Sequence, residues 1–143
     1  MNSVNICFLI VNYNSYNDTI SFVHHISGKE KNLQLLPILI VDNCSSDHSF
    51  EILLQEFQDN QSVDVIQTEK NGGYGYGNNW GIKHLQNTYN TEFIIISNPD
   101  VKADVAIIPE MLKAFQVDKK IATVSVQMRN SQNKHQVSAC TLP

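Results

Sequence analysis

The sequence predicts an α/β fold with an open, mostly parallel sheet flanked by helices. Three observations carry that prediction. Short runs rich in Ile, Leu and Val recur at regular intervals, segments of helical periodicity lie between them, and a polar cluster follows each of the first four runs. Near-continuous apolar runs, rather than strict alternation, suit strands buried on both faces of a parallel sheet.

The elements follow in order. Val4–Val11 (VNICFLIV) reads as the first strand, and Asn17–Ile26, with Ile20, Val23 and Ile26, as a moderate helix. Leu35–Val41 (LLPILIV) is the second strand, with Pro37 near its start. Phe50, Leu53, Leu54 and Phe57 stand at i, i+3, i+4 and i+7, with Ser46 or Asp47 as the cap before them. Val63–Thr68 is a shorter third strand. Ile82, Leu85 and Tyr89 form a weaker helical stripe after a Gly/Asn-rich entry. Phe93–Ser97 is the fourth strand. Ile108, Met111, Leu112 and Phe115 repeat the helical spacing, which places Pro109 in a first turn, where a missing N–H costs nothing. Ile121–Met128 (IATVSVQM) closes the series as a fifth strand. Strands alternating with helices imply right-handed crossovers. Residues 129–143 are polar and turn-rich, so the expected division is a domain over 1–128 followed by a tail, or the start of a further part, over 129–143.

Composition narrows the function. The 143 residues carry a formal charge of -4 and include 42% hydrophobic residues, enough for one domain with a real core. An acidic balance argues against a general grip on nucleic acid, which needs a clustered basic face. No apolar run reaches the ~18 residues of a spanning helix, and the N-terminus lacks the form of a signal peptide. Cys7, Cys44 and Cys140 are scattered without metal or disulfide spacing, so a cytoplasmic location is the default. The five histidines show no metal-ligand spacing.

In an open α/β sheet, ligands bind beyond the carboxyl ends of the strands. Asn12-Tyr13-Asn14-Ser15, Asp42 to Asp47, Glu69 to Asn79 and Asn98-Pro99-Asp100 follow the first four strands, so all should reach one edge. Tyr13 is either a stacking face for a base or a partly buried tyrosine. Asp42 either caps its turn or accepts protons from a base or ribose; on the second reading Asp42→Ala weakens nucleotide binding with little loss of fold. Asp47 reads best as a helix cap. Asp100, with Asn98 two residues earlier and Pro99 stiffening the turn, offers hard oxygen to a divalent cation, although Asn-Pro-Asp is also an ordinary turn. Asn71–Gly81 (NGGYGYGNNWG) holds five of the six glycines. It is either a loop that lets backbone approach a ligand or an ordinary flexible surface loop. It is not a dinucleotide fingerprint, because Trp80 stands where the last glycine of GxGxxG belongs.

Together these segments resemble the N-terminal, nucleotide-sugar-binding half of an inverting family 2 glycosyltransferase of GT-A (Rossmann-like) fold. IVNYN at Ile10–Asn14, VDNCSSD at Val41–Asp47, the glycine stretch at Asn71–Gly81 and SNPD at Ser97–Asp100 stand in that family's order, over residues 4–127. The combination is specific; each piece alone is not. The glycine loop and the NPD form are most similar to the rhamnosyltransferase branch, which implies dTDP-rhamnose as donor, with UDP-sugars next. The resemblance implies that Asn12 and Tyr13 line the base and that Asp42 binds base or ribose. It puts Gly73, Asn78 and Asn79 near the donor diphosphate and sugar. Asn98 and Asp100 fall on the family's DxD motif, with an amide replacing the first carboxylate and Asp100 as ligand to Mg²⁺ or Mn²⁺. The acceptor is implied to be a glycan or lipid-linked sugar, met at the inner membrane face by peripheral membrane association. The general base is implied to lie beyond residue 143, in a C-terminal half, so this chain is expected to bind donor without complete transferase activity. A non-catalytic nucleotide-sugar-binding module and a regulatory α/β domain are the competing readings; the latter lacks an acidic cluster after its first strand. Whether the chain forms a homo-oligomer is left open.

Overall fold

The computed structural model describes residues 5–27, 37–129, 132 and 135–136. Val4, Leu35, Leu36, Cys140 and most of the expected tail lie outside the described residues. The elements are β1 (Ile6–Asn12), α1 (Tyr16–Ser27), β2 (Ile38–Asp42), α2 (Ser49–Phe57), β3 (Val63–Gln67), α3 (Tyr74–Thr88), β4 (Phe93–Ser97), α4 (Ile108–Val117) after a short 3-10 turn at Val105–Ile107, β5 (Met128–Arg129) and β6 (His135–Gln136). Contacts divide the chain into two units, 1–103 and 104–143, earlier than the boundary expected from composition.

The first unit holds a parallel sheet in the order β3-β2-β1-β4. β1 and β2 are central and every residue in them is buried, which is why their sequences are apolar without alternation. Leu9, Leu39 and Val41 pack with Leu85 of α3 on one face. Alternation sends Phe8, Ile10 and Ile40 to the other face. Two helical glycines let α3 sit close to the sheet: a Cβ at Gly77 would stand 2.8 Å from Val11 Cγ1, and one at Gly81 would collide with Leu9. α1 buries Phe22, Val23 and Ile26 and packs beside α2. His24 Nε2 lies 2.9 Å from Glu56 Oε1, and its ring tilts against Phe57.

Register decides where the loops emerge. Asn12 pairs with Asp42, Asp42 with Gln67, and Ile10 with Ser97. The four strands therefore end close together, and the segments after them share one edge.

Three expectations need correction. Residues 121–127 form no strand; the short antiparallel pair of the second unit begins only at Met128, opposite Gln136. Alternation marks a half-buried strand only if a partner supplies the ladder, and Val126 is instead exposed. The glycine-rich stretch is a loop only over residues 71–73, because α3 already starts at Tyr74. Packing of Gly77 and Gly81 against the sheet outweighs glycine's poor helix propensity. Finally, the cap position of α2 is His48, at φ 62°, rather than Ser46 or Asp47. Asp47 still serves the helix start, accepting from the Ser49 N–H at 3.1 Å and from its hydroxyl at 2.5 Å. Pro109 does stand in the first turn of α4.

Candidate functional site

Connections from β1 run outward through β2 to β3, then return across β1 to β4. That reversal opens a crevice beyond the ends of β1 and β4, the general ligand position in this architecture. A cavity of about 510 Å³ lies there. Its walls are Val11, Tyr13, Ser15 and Asp18 from the end of β1 and the start of α1. Asn43 comes from the loop after β2, and Asn71, Gly73 and Tyr74 from the entry to α3. Asn98, Pro99 and Asp100 follow β4. All belong to the first unit.

Of the predicted site residues, Tyr13, Gly73, Asn98 and Asp100 line this cavity together. Tyr13 is 46% exposed, so its ring is available to a ligand. Asn12 and Asp42 are fully buried and do not line it. They form a polar layer at the strand ends. Asn12 Nδ2 donates to Asp42 Oδ1 at 2.8 Å, and Asn12 Oδ1 accepts from Thr19 Oγ1 at 2.8 Å and Ser15 Oγ at 3.2 Å. Asp42 Oδ1 also accepts from Ser45 Oγ at 2.6 Å; its Oδ2 accepts from the Ser45 N–H at 2.9 Å and Gln67 Nε2 at 3.0 Å. Four donors thus occupy both oxygens of one buried carboxylate. The expectation that Asp42→Ala leaves the fold almost untouched does not survive this geometry. Losing the carboxylate strands the buried Asn12 amide, at a cost of about 1–3 kcal/mol, and frees the half-buried Ser45 and the exposed Gln67 from their acceptor.

Asn78 is buried on α3, and its Oδ1 has no hydrogen-bond partner among the described residues. Asn79 is exposed and outside the cavity lining. Ser15, Asn43, Asn71 and Tyr74 also line the cavity and belong to segments the sequence places at this edge, although it singles none of them out; Asp18 lies outside those segments. Ser15, Asn43 and Asn71 follow a strand end within four residues, which was the available signal; Asp18 and Tyr74 stand in the first turns of α1 and α3.

The loops around the cavity are bent. Asn14 and Cys44 hold left-handed backbone at φ 50° and 58°, conformations that side chains other than glycine seldom adopt. Asn14 is held by its own side chain, whose Oδ1 accepts from the Ser46 N–H at 2.9 Å, and its N–H donates to Ser45 Oγ at 2.9 Å.

Among the described residues no group of three or more His, Cys, Asp or Glu side chains gathers to hold a metal. Asp100 and Asn98 nevertheless fit a hard divalent cation. Mg²⁺ and Mn²⁺ commonly take one or two protein carboxylates and complete their shell with phosphate oxygens and water. The oxygen donors of this wall, beside an open cavity, match that pattern.

Fold and site thus define a doubly wound α/β domain with an open cavity at its switch point. Residues 7–140 match the glycosyl transferase family 2 model, and the chain belongs to that family. It is 30% identical over 108 residues to the low-salt glycan biosynthesis hexosyltransferase Agl10 of Haloferax volcanii, covering 76% of this chain and 32% of that protein. Among solved structures, S. aureus TarS in complex with UDP-GlcNAc superposes with a TM-score of 0.63 at 18% identity, over 80% of this chain and 32% of that one. The mannosyltransferase PcManGT of Pyrobaculum calidifontis, in complex with GDP-Man and Mn²⁺, gives 0.67 at 13% identity, over 90% and 36%. The fold is the GT-A fold of these enzymes. The chain spans about a third of the length of the relatives it matches. No helix among the described residues is long and apolar enough to cross a membrane.

Proposed function

We propose that this chain is the donor-binding part of a family 2 glycosyltransferase that takes a nucleoside diphosphate sugar. The observation that carries the reading is one cavity at the switch point, walled by Tyr13, Gly73, Asn98 and Asp100. In this reading Tyr13 stacks on the base, which contributes about 1–3 kcal/mol. Asn12 and Asp42 act from beneath, holding the loops that carry Tyr13 and Ser15. Gly73 lets backbone approach the ligand, and Asn78 and Asn79 orient the diphosphate and sugar. Asn98 and Asp100 hold Mg²⁺ or Mn²⁺, which when bound neutralises charge on the leaving diphosphate. The donor is a dTDP- or UDP-sugar, with rhamnose favoured by the Asn-Pro-Asp form. The acceptor is a glycan or lipid-linked sugar, reached from the cytoplasm at the membrane face. Transfer with inversion also needs a carboxylate base near the acceptor hydroxyl, and we assign that role to no residue of this chain.

Calorimetric titration of the full chain with dTDP and UDP, with and without Mn²⁺, tests the reading. Metal-dependent heat that disappears in Asp100→Ala is the expected result. Asp100 is exposed, so this variant should melt like the parent. Failure of both nucleotides to bind overturns the donor-site reading.

A further inference from the structure

We infer that Asn43 is a positioning residue, which sets the orientation of the α3 wall of the cavity without itself binding the ligand. This rests on the donor-site reading of that cavity. Asn43 is only 2% exposed. Its N–H donates to the Asn12 carbonyl at 2.8 Å, extending the β1–β2 pairing one residue past the sheet. Its side-chain Nδ2 donates to Asn71 Oδ1 at 2.9 Å and to the Gly73 carbonyl at 3.2 Å. Its Oδ1 is within 3.2 Å of the Thr68 hydroxyl, which points the amide. Both amide protons are therefore committed inside the protein, and a ligand finds no free donor on this side chain.

The bonds converge on the start of α3. The Gly73 carbonyl that Asn43 holds is also the first acceptor of the helix, taking the Gly77 N–H at 3.1 Å. The Gly73 N–H donates to Asn71 Oδ1 at 3.0 Å, so Asn71 and Asn43 grip the residue from both sides. Gly73 stands at φ 84°, backbone that other residues rarely adopt. The Asn43 amide carbon would lie 3.6 Å from a Cβ at Gly77, so the amide sits beneath the first turn. Gly73 and Tyr74 form cavity wall. One buried amide on the β2 loop thus fixes the direction in which α3 begins, and with it the placement of Tyr74 and of the first unpaired helix N–H groups.

The test compares the full chain with Asn43→Asp, which keeps the size and an acceptor for Thr68 but removes both donors. Tyr89→Phe serves as the control for lost stability, because Tyr89 bonds Asp64 near the start of β3, at the other end of the sheet. In Asn43→Asp, amide hydrogen exchange over residues 71–77 should speed up about tenfold, the effect of losing about one hydrogen bond. The dissociation constant for UDP with Mn²⁺ should rise by about the same factor. Tyr89→Phe should leave both unchanged. Unaltered exchange in Asn43→Asp, or equal loosening in Tyr89→Phe, overturns the inference. If Asn43→Asp does not fold, Thr68→Val replaces it; this variant is isosteric and outside the cavity lining. It should give the same changes at smaller size, and no change overturns the inference. If the unmodified chain binds neither UDP nor dTDP, the donor-site reading fails, and exchange alone then decides for Asn43.

Discussion

The two edges of the same sheet are built differently. At the edge where the strands begin, side chains close directly on one another. Cys7 Sγ meets Thr91 Oγ1 at 3.1 Å, the Tyr89 hydroxyl donates to Asp64, and Asn5 Nδ2 donates to the Asn90 carbonyl at 2.9 Å. These bonds fasten the connection between α3 and β4 to the beginnings of β1 and β3. At the edge where the strands end, a buried layer of Asn12, Asp42, Asn43 and Thr68 satisfies itself, and a cavity opens above it. Both edges are rich in polar groups. Only the second ties loops together beside a cavity, and it carries left-handed backbone at Asn14 and Cys44. A paired polar layer rigidifies a site only when every member is satisfied.

Changes at each edge test this contrast, and the largest effect is expected from Asp42→Ala. It leaves Asn12, Gln67 and the Ser45 N–H without their acceptor, so urea unfolding should show a loss of about 3 kcal/mol. Unchanged stability with weakened nucleotide binding would instead make Asp42 a ligand contact. Gly81→Ala comes next. Its methyl group meets Leu9 and Val41 in the core, midway between the edges, and overpacking of this kind costs about 1–3 kcal/mol by the same measurement. Nucleotide affinity of the folded fraction should change little.

The smallest effect belongs to the closed edge. Tyr89→Phe should lose about 1 kcal/mol at neutral pH. The bond to Asp64, with burial adding to it, pushes the Tyr89 hydroxyl up to about 12. The folded value lies above the unfolded one of about 10. The stabilisation is therefore complete below pH about 10 and is lost as pH rises through about 12. The parent and Tyr89→Phe should converge in stability over that interval, and parallel curves would show that the bond is unimportant. Burial also raises Cys7, its bond to Thr91 opposing in part, so alkylation of that thiol should follow unfolding at this edge.

Much of the fold is legible in the residues because it rests on local patterns. Runs of Ile, Leu and Val specify β1 and β2, since a strand covered on both faces leaves little room for a polar side chain; β4 carries a similar run although it is an edge strand with Ile96 exposed. The spacing of Leu53 and Phe57 specifies α2, and Pro109 the start of α4. Order along the chain also brings Tyr13, Gly73, Asn98 and Asp100 to one edge, because parallel strands must all end on the same side.

What the sequence determined by itself is therefore the alternation of elements, the edge that carries the loops and the family pattern of the residues there. Tertiary structure decided the rest. It turned Tyr74 to Gly81 into helix, because close contact with Leu9, Val11 and Val41 requires glycine there and outweighs local propensity. It left residues 121–127 without a ladder, because a strand exists only against a partner. It also sorted the polar residues at one edge into those that face the cavity and those that support it. Asp42 ends β2, and Asp100, the same amino acid, stands three residues beyond β4 at the same edge. Only the hydrogen-bonding neighbours folded around each make one a buried anchor and leave the other open to a ligand.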